Sequence, residues 1–80
     1  MSRPIVEIEW LDSIGVPAVW ENTEEAEADS LAPSIITTVG YLWESAELFV
    51  TVCQSLSPAQ VARRFSIPSG CIQKIRTIRT

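Results

Sequence analysis

Four aromatic side chains and four cations are the parts of this chain best suited to chemistry. Trp10, Trp20, Tyr41 and Trp43 offer flat apolar faces on which a base could stack, and Arg63, Arg64, Lys74 and Arg76 offer charged donors for phosphate oxygens. Together they would make a site for a small phosphate-bearing ligand of the nucleotide type. Each aromatic also has a plainer use, because a domain of 80 residues needs its largest side chains for packing. Catalytic candidates are scarcer. The sequence has no histidine, no glycine-rich phosphate loop, no serine or cysteine beside a base, and no cluster at metal-ligand spacing. Glu7 and Glu9 form a carboxylate pair, but neither has a base or nucleophile near it in sequence. Cys53 and Cys71 lack a CxxC spacing and fall among apolar strand residues, where thiols are usually inert, so free thiols are expected. The expectation is a binding protein, not an enzyme, with no cofactor and no metal.

Charge is divided along the chain. Residues 1–47 hold all ten acids and one base, Arg3, for −9; residues 48–80 hold no acid and five bases, for +5. Folding could mix these charges over one small surface. Alternatively, they could form two poles suited to head-to-tail assembly, or a basic pole for an anion. A single domain this short has little core, so association with itself would add stability. The 46% hydrophobic content argues against disorder. No apolar run approaches the roughly 20 residues of a membrane span, and MSRPIVEIEW lacks a signal-peptide core, so a cytoplasmic protein without membrane contact is expected.

The elements that must position these groups read mainly as strands. Ile35 to Leu56 is a hairpin with its turn at Glu44–Glu47, rich in the β-branched and aromatic residues that suit a pleated surface. In its first arm Val39, Tyr41 and Trp43 alternate with Thr38, Gly40 and Leu42, which leaves one face for a core and one for other contacts. Gly40, unfavourable within a strand, implies a bulge, a bend or a close backbone approach. Ile5 to Asp12 puts Val6, Ile8 and Trp10 on one face and Glu7 and Glu9 on the other, the period-2 mark of a half-buried strand. From Ser13 to Pro33 the pattern fails. This stretch is acidic, with one or two helical turns expected at Thr23–Ala28 behind Asn22 or Thr23 as N-cap. Trp20, within it, reads as a lid over the fold or as part of a ligand pocket.

Residues 57–79 admit two structures. One is a DNA-binding helix-turn-helix: Ala-Arg-Arg-Phe-Ser-Ile-Pro at 62–68 resembles the A-R-R-F-G-I-P of such proteins, and the following bases could meet phosphates. Ser66 stands where the turn glycine is usual, and Gly70 would weaken the recognition helix by about 1 kcal/mol against alanine. The other structure is a strand at Phe65–Ile67, a tight or 3₁₀ turn at Pro68–Cys71 and a last strand at Ile72–Ile78, with Ser57–Arg64 as a loop. Ser66–Ile75 resembles the closing segment of SH3-like barrels, in which a 3₁₀ turn precedes the final strand. The expected fold is a small SH3/Sm-like antiparallel β-barrel with an acidic loop.

A wider resemblance favours the barrel. Glu9-Trp10-Leu11-Asp12-Ser13, Trp20, Thr38-Val39-Gly40-Tyr41-Leu42, and Phe65-Ser66-Ile67-Pro68 with Gly70-Cys71-Ile72 together resemble a group of small, poorly characterised proteins encoded by bacteriophages. The resemblance implies a protein acting on host components in the host cytoplasm, either by sequestering a nucleotide-type defence signal or by blocking a host protein. For a protein target, the acidic 21–29 stretch is the expected surface. The helix-turn-helix regulator is the alternative, although a net charge of −4 makes specific duplex binding unexpected.

Overall fold

The alternating segments form strands, and each apolar face finds its partner by curling one sheet. The computed structural model describes residues 3–80. Its elements are β1 (Ile5–Asp12), α1 (Thr23–Ala28), β2 (Ser34–Ser45), β3 (Phe49–Leu56), β4 (Val61–Pro68), a 3₁₀ turn (Ser69–Cys71) and β5 (Ile72–Arg79). The strands make one five-stranded sheet in the order β4-β3-β2-β1-β5, with every pairing antiparallel. Val6 and Ile8 of β1, Val50 and Val52 of β3 and Ile67 of β4 are buried together, with Trp10, Leu42 and Ile72 packed against them. Strands β1 and β4 are not neighbours, so this cluster requires the sheet to fold over on itself. Trp10 and Phe65 meet across that fold, ring centroids 5.7 Å apart and tilted by 49°, a favourable geometry for an aromatic pair.

Strand β2 makes the curl possible. Its residues Ser34–Tyr41 pair with β1, and Tyr41–Ser45 pair with β3. The β2–β3 register slips between Leu42 and Glu44, leaving Trp43 as an extra residue, as in a bulge that bends and twists a strand. Gly40 sits just before this point, on the inward face opposite Val6. A Cβ there would lie 2.9 Å from the Cys53 carbonyl oxygen and 3.2 Å from Val52 Cβ. The glycine therefore permits a close backbone approach, as its place in a strand suggested.

The strand, turn and strand expected over residues 57–79 are found, the helix-turn-helix alternative is not, and three details differ from expectation. Residues 57–79 are strand, 3₁₀ turn and strand, which excludes the helix-turn-helix; Ile72 and Ile75 lie opposite Trp10 and Ile8 in a β-ladder, not on a recognition helix. Strand β4 begins at Val61, not Phe65, so only Ser57–Gln60 connects it to β3. The sheet is not closed, because its edge strands β4 and β5 are joined through the 3₁₀ turn and not by a ladder. The hairpin turn also falls slightly later than expected, with β2 running through Ser45. Leu48 lies in that turn and is 77% exposed.

The acidic stretch leaves the sheet altogether. Every residue from Asp12 to Ile35 is exposed, including those of α1, which Asn22 caps by accepting from the backbone N–H of Glu24 (3.0 Å) and Glu25 (3.3 Å). The molecule measures 56 × 22 × 20 Å, and its radius of gyration is 17.0 Å, against about 12 Å for a compact chain of this length.

The close approach at Gly40 has a measurable consequence. Gly40→Val must displace the backbone of β3, and we expect a loss of about 2 kcal/mol or more. For a domain this size that is a fall in Tm on the order of 10 °C. A Gly40→Val variant that melts with the parent protein would show that the backbones separate without cost.

Candidate functional site

The eight residues that could bind a nucleotide are distributed over the arm, the core, β2 and both edge strands. Arg63 and Arg64 lie on β4, while Lys74 and Arg76 lie on β5, at opposite ends of the sheet order. Strand β5 pairs with the acidic face of β1, which brings Arg76 opposite Glu7 and Lys74 opposite Glu9. Arg76 Nε donates to Glu7 Oε1 at 2.9 Å and Nη2 donates to Oε2 at 3.3 Å, a two-point fork typical of arginine and carboxylate. The hydrogen bond from Arg76, aided by its charge and that of Lys74, holds the Glu7 carboxyl below its ordinary range despite some desolvation. Arg76 is thus engaged by its own chain, and Glu7 serves the sheet.

The aromatics separate in the same way. Trp10 packs on the core, and its Nε1 donates to Thr38 Oγ1 at 2.9 Å, so both its ring and its polar handle are occupied. Tyr41 is half-buried on β2, opposite buried Cys53, and Cys71 is half-buried in the 3₁₀ turn; both cysteines are free. Trp20 is neither lid nor pocket wall: it lies on the projecting arm and is 102% exposed. Arg63 is the sole non-glycine residue with positive φ among those described, at 58°.

One of the eight does take part in a cleft. The Trp43 ring lies under the Arg3 guanidinium, whose central carbon is 4.1 Å from the ring centroid. Arg3 Nη1 also donates to the Trp43 carbonyl at 2.6 Å and the Leu42 carbonyl at 3.3 Å. These two residues and the β3–β4 connection, Ser57–Gln60, border a depression of about 520 Å³. The connection is itself ordered by Ser57, whose Oγ accepts from the Gln60 N–H at 3.0 Å. Sequence reasoning passed over Arg3 because it stands alone among acids, 40 residues from its partner. Among the described residues, no helix is long and apolar enough to cross a membrane. Scans of this sequence against protein-family models and searches of the curated proteins and the solved structures returned no match.

What the geometry offers chemically is therefore two separate surfaces. The Arg3–Trp43 cleft combines an anchored cation with an aromatic wall. The arm presents Ile14, Val16, Val19, Trp20 and Leu31, all exposed, between acids. Of these surfaces, the arm has no packing role within its own chain that would account for its apolar side chains.

The cross-strand pair predicts a pH signature. The Glu7 pKa is lowered in the folded protein, so its stabilising contribution is present above the unfolded carboxylate pKa and is lost as pH falls through the folded value. Glu7→Gln should melt slightly below the parent at neutral pH, and the two melting temperatures should converge on acidification. The pair is exposed, so salt should narrow the difference as well. A gap that stays constant from neutral to acid pH would mean that the carboxylate charge contributes nothing.

Proposed function

We propose that this chain is a small non-enzymatic binding protein that acts by occupying a surface of another protein. The observation that carries this reading is the arm from Asp12 to Pro33, which holds Trp20 wholly in water on a segment containing six acids and no base. Exposed contiguous apolar groups rimmed by charge mark interaction sites, and tryptophan is among the residues that most often dominate them. The resemblance to phage-encoded proteins makes a host protein the expected target, with the arm as the blocking element. The curled sheet is then the scaffold, an SH3/Sm-like barrel left open between β4 and β5. The 3₁₀ turn ahead of β5 supports that view of the fold.

A second reading keeps the small phosphate-bearing ligand but moves it to the Arg3–Trp43 cleft. Arg3 is held there by two backbone carbonyls, so its remaining donors could meet an anion without reordering the side chain. The Glu7–Arg76 pair, the packing of Trp10 on the core and the place of Trp20 on the arm count against the wider nucleotide site.

The test is capture from host extract by the immobilised full chain, beside Trp20→Ala and Arg3→Ala variants. The arm reading expects a stoichiometric protein partner whose retention falls at least about 30-fold in Trp20→Ala, the size of a hot-spot loss. It expects no change in Arg3→Ala and no shift of duplex DNA at physiological salt. A small phosphate-bearing molecule in native mass spectra, lost in Arg3→Ala and kept in Trp20→Ala, would reverse the order of the two readings. Binding of duplex DNA with a steep salt dependence would overturn both.

A further inference from the structure

The unclosed sheet and the projecting arm are complementary. On the inward faces of the two edge strands, Phe65 of β4 and Ile75 of β5 are each 46% exposed, because no strand closes the gap between them. Both belong by register to the core layer: Phe65 lies opposite buried Val52, and Ile75 opposite Ile8, which is 0% exposed. The same two strands carry every base of residues 48–80, namely Arg63, Arg64, Lys74, Arg76 and Arg79. Among the described residues only Arg76 has an ion-pair partner within its own chain. The open side between β4 and β5, the slot, thus joins half-exposed apolar residues to strands that carry cations. The arm is its counterpart in both respects, with apolar residues interspersed among acids that have no ion-pair partner among the described residues.

We propose that the slot between β4 and β5 of one copy receives the arm of a second copy, giving an arm-exchanged homo-oligomer. This rests on the reading of the arm as a docking element and names its receptor. A second copy is the occupant because one chain supplies both halves, six arm acids against four unpaired bases, while every residue of its own arm is exposed and so does not fill its own slot. Docking would cover Val19 and Trp20 and the half-exposed Phe65 and Ile75 together. It would also shield the two open strand edges, which otherwise invite unspecific pairing. In consequence, a target protein would have to compete with the slot for the arm.

Light scattering and sedimentation of the purified full chain at micromolar concentration test this directly. The expected result is a mass above one chain that falls toward one chain in high salt, and a dissociation constant raised at least about tenfold in Trp20→Ala. Two charge-reversed chains sharpen the test. Glu21→Lys, Glu24→Lys, Glu25→Lys and Glu27→Lys together turn the arm from −6 to +2 beside a basic slot; Arg63→Glu, Arg64→Glu, Lys74→Glu and Arg79→Glu together turn the slot from +5 to −3 beside an acidic arm. Each alone should be monomeric, and the two mixed should associate, since each slot then meets an arm of opposite charge.

A parent chain that is monomeric at all salt concentrations overturns the proposal. So does an oligomer indifferent to both reversals, which would use some other surface. A monomer whose Trp20 emission is that of a buried indole would mean that the arm closes on its own slot. If the parent is monomeric yet still captures an extract protein through Trp20, the docking reading stands and only self-assembly fails. If Trp20→Ala changes neither mass nor capture, both fail.

Discussion

Everything in this fold depends on the contact between the inward faces of β1 and β4. A single five-stranded sheet has no second layer, so it must bury its apolar face against itself or leave it wet. Ile8 and Ile67, from strands that are not neighbours in the sheet, are both 0% exposed and belong to one cluster. Their burial is possible because β2 changes partner along its length, with Gly40 allowing the backbone of β3 to come close and Trp43 absorbing the register slip. The core that results is small. Its supporting polar contact is equally local: Thr51, 5% exposed, shares a 2.6 Å hydrogen bond with the Ser66 hydroxyl directly opposite on β4.

The parts of this architecture legible in the sequence are those with strict local periodicity. In Ile5–Asp12 alternation marks strand and inward face together, since Val6 and Ile8 are buried and Glu7 faces Arg76. Gly40 is legible for a similar reason, being a residue that a strand tolerates only under a constraint. The start of β4 is not legible. Ala62, Arg63, Arg64 and Phe65 show no alternation, and Arg63 adopts a left-handed conformation that breaks the pleat within the strand. Val61, Ala62 and Phe65 meanwhile sit at helical spacing behind Ser57 and Pro58, so the local pattern pointed to a helix that long-range pairing with β3 overrides. Closure was illegible too, because whether two edges meet depends on accumulated twist and not on any residue of β4 or β5 taken singly.

The candidate site was harder still, because residue type says nothing about which strands become neighbours. The cations of β5 had the right chemistry for phosphate. Placing β5 beside β1 set them against Glu7 and Glu9 and turned Arg76 into the partner of Glu7. Arg3 shows the opposite error: a lone base near the N-terminus, counted in the sequence only for its charge, becomes the cation over Trp43 once β2 passes beside it. The −9/+5 division was visible from composition alone, but its two possible outcomes were not distinguishable there. The sheet resolves part of it. It mixes the charges of β1 with those of β5, and it leaves the acids of the arm and the bases of β4 apart.

That partial mixing constrains what the arm can be. A segment retained only as a connection between β1 and β2 could be short, since Asp12 and Ser34 are directly paired and a few residues would join them. The chain instead inserts a long excursion, gives it a capped helical turn, and places Trp20 where its own sheet does not touch it. A purely solvated linker has no use for Ile14, Val16, Val19, Trp20 and Leu31, and a packed lid would have buried them. Apolar side chains held in water by an acidic backbone segment are stable in that position only while repulsion keeps the segment soluble, and they gain free energy from any surface that is both apolar and cationic. The open side of the sheet is a surface of that kind. The two features that make this chain unlike a closed barrel, its gap and its arm, are thus better understood as one arrangement than as two unrelated departures.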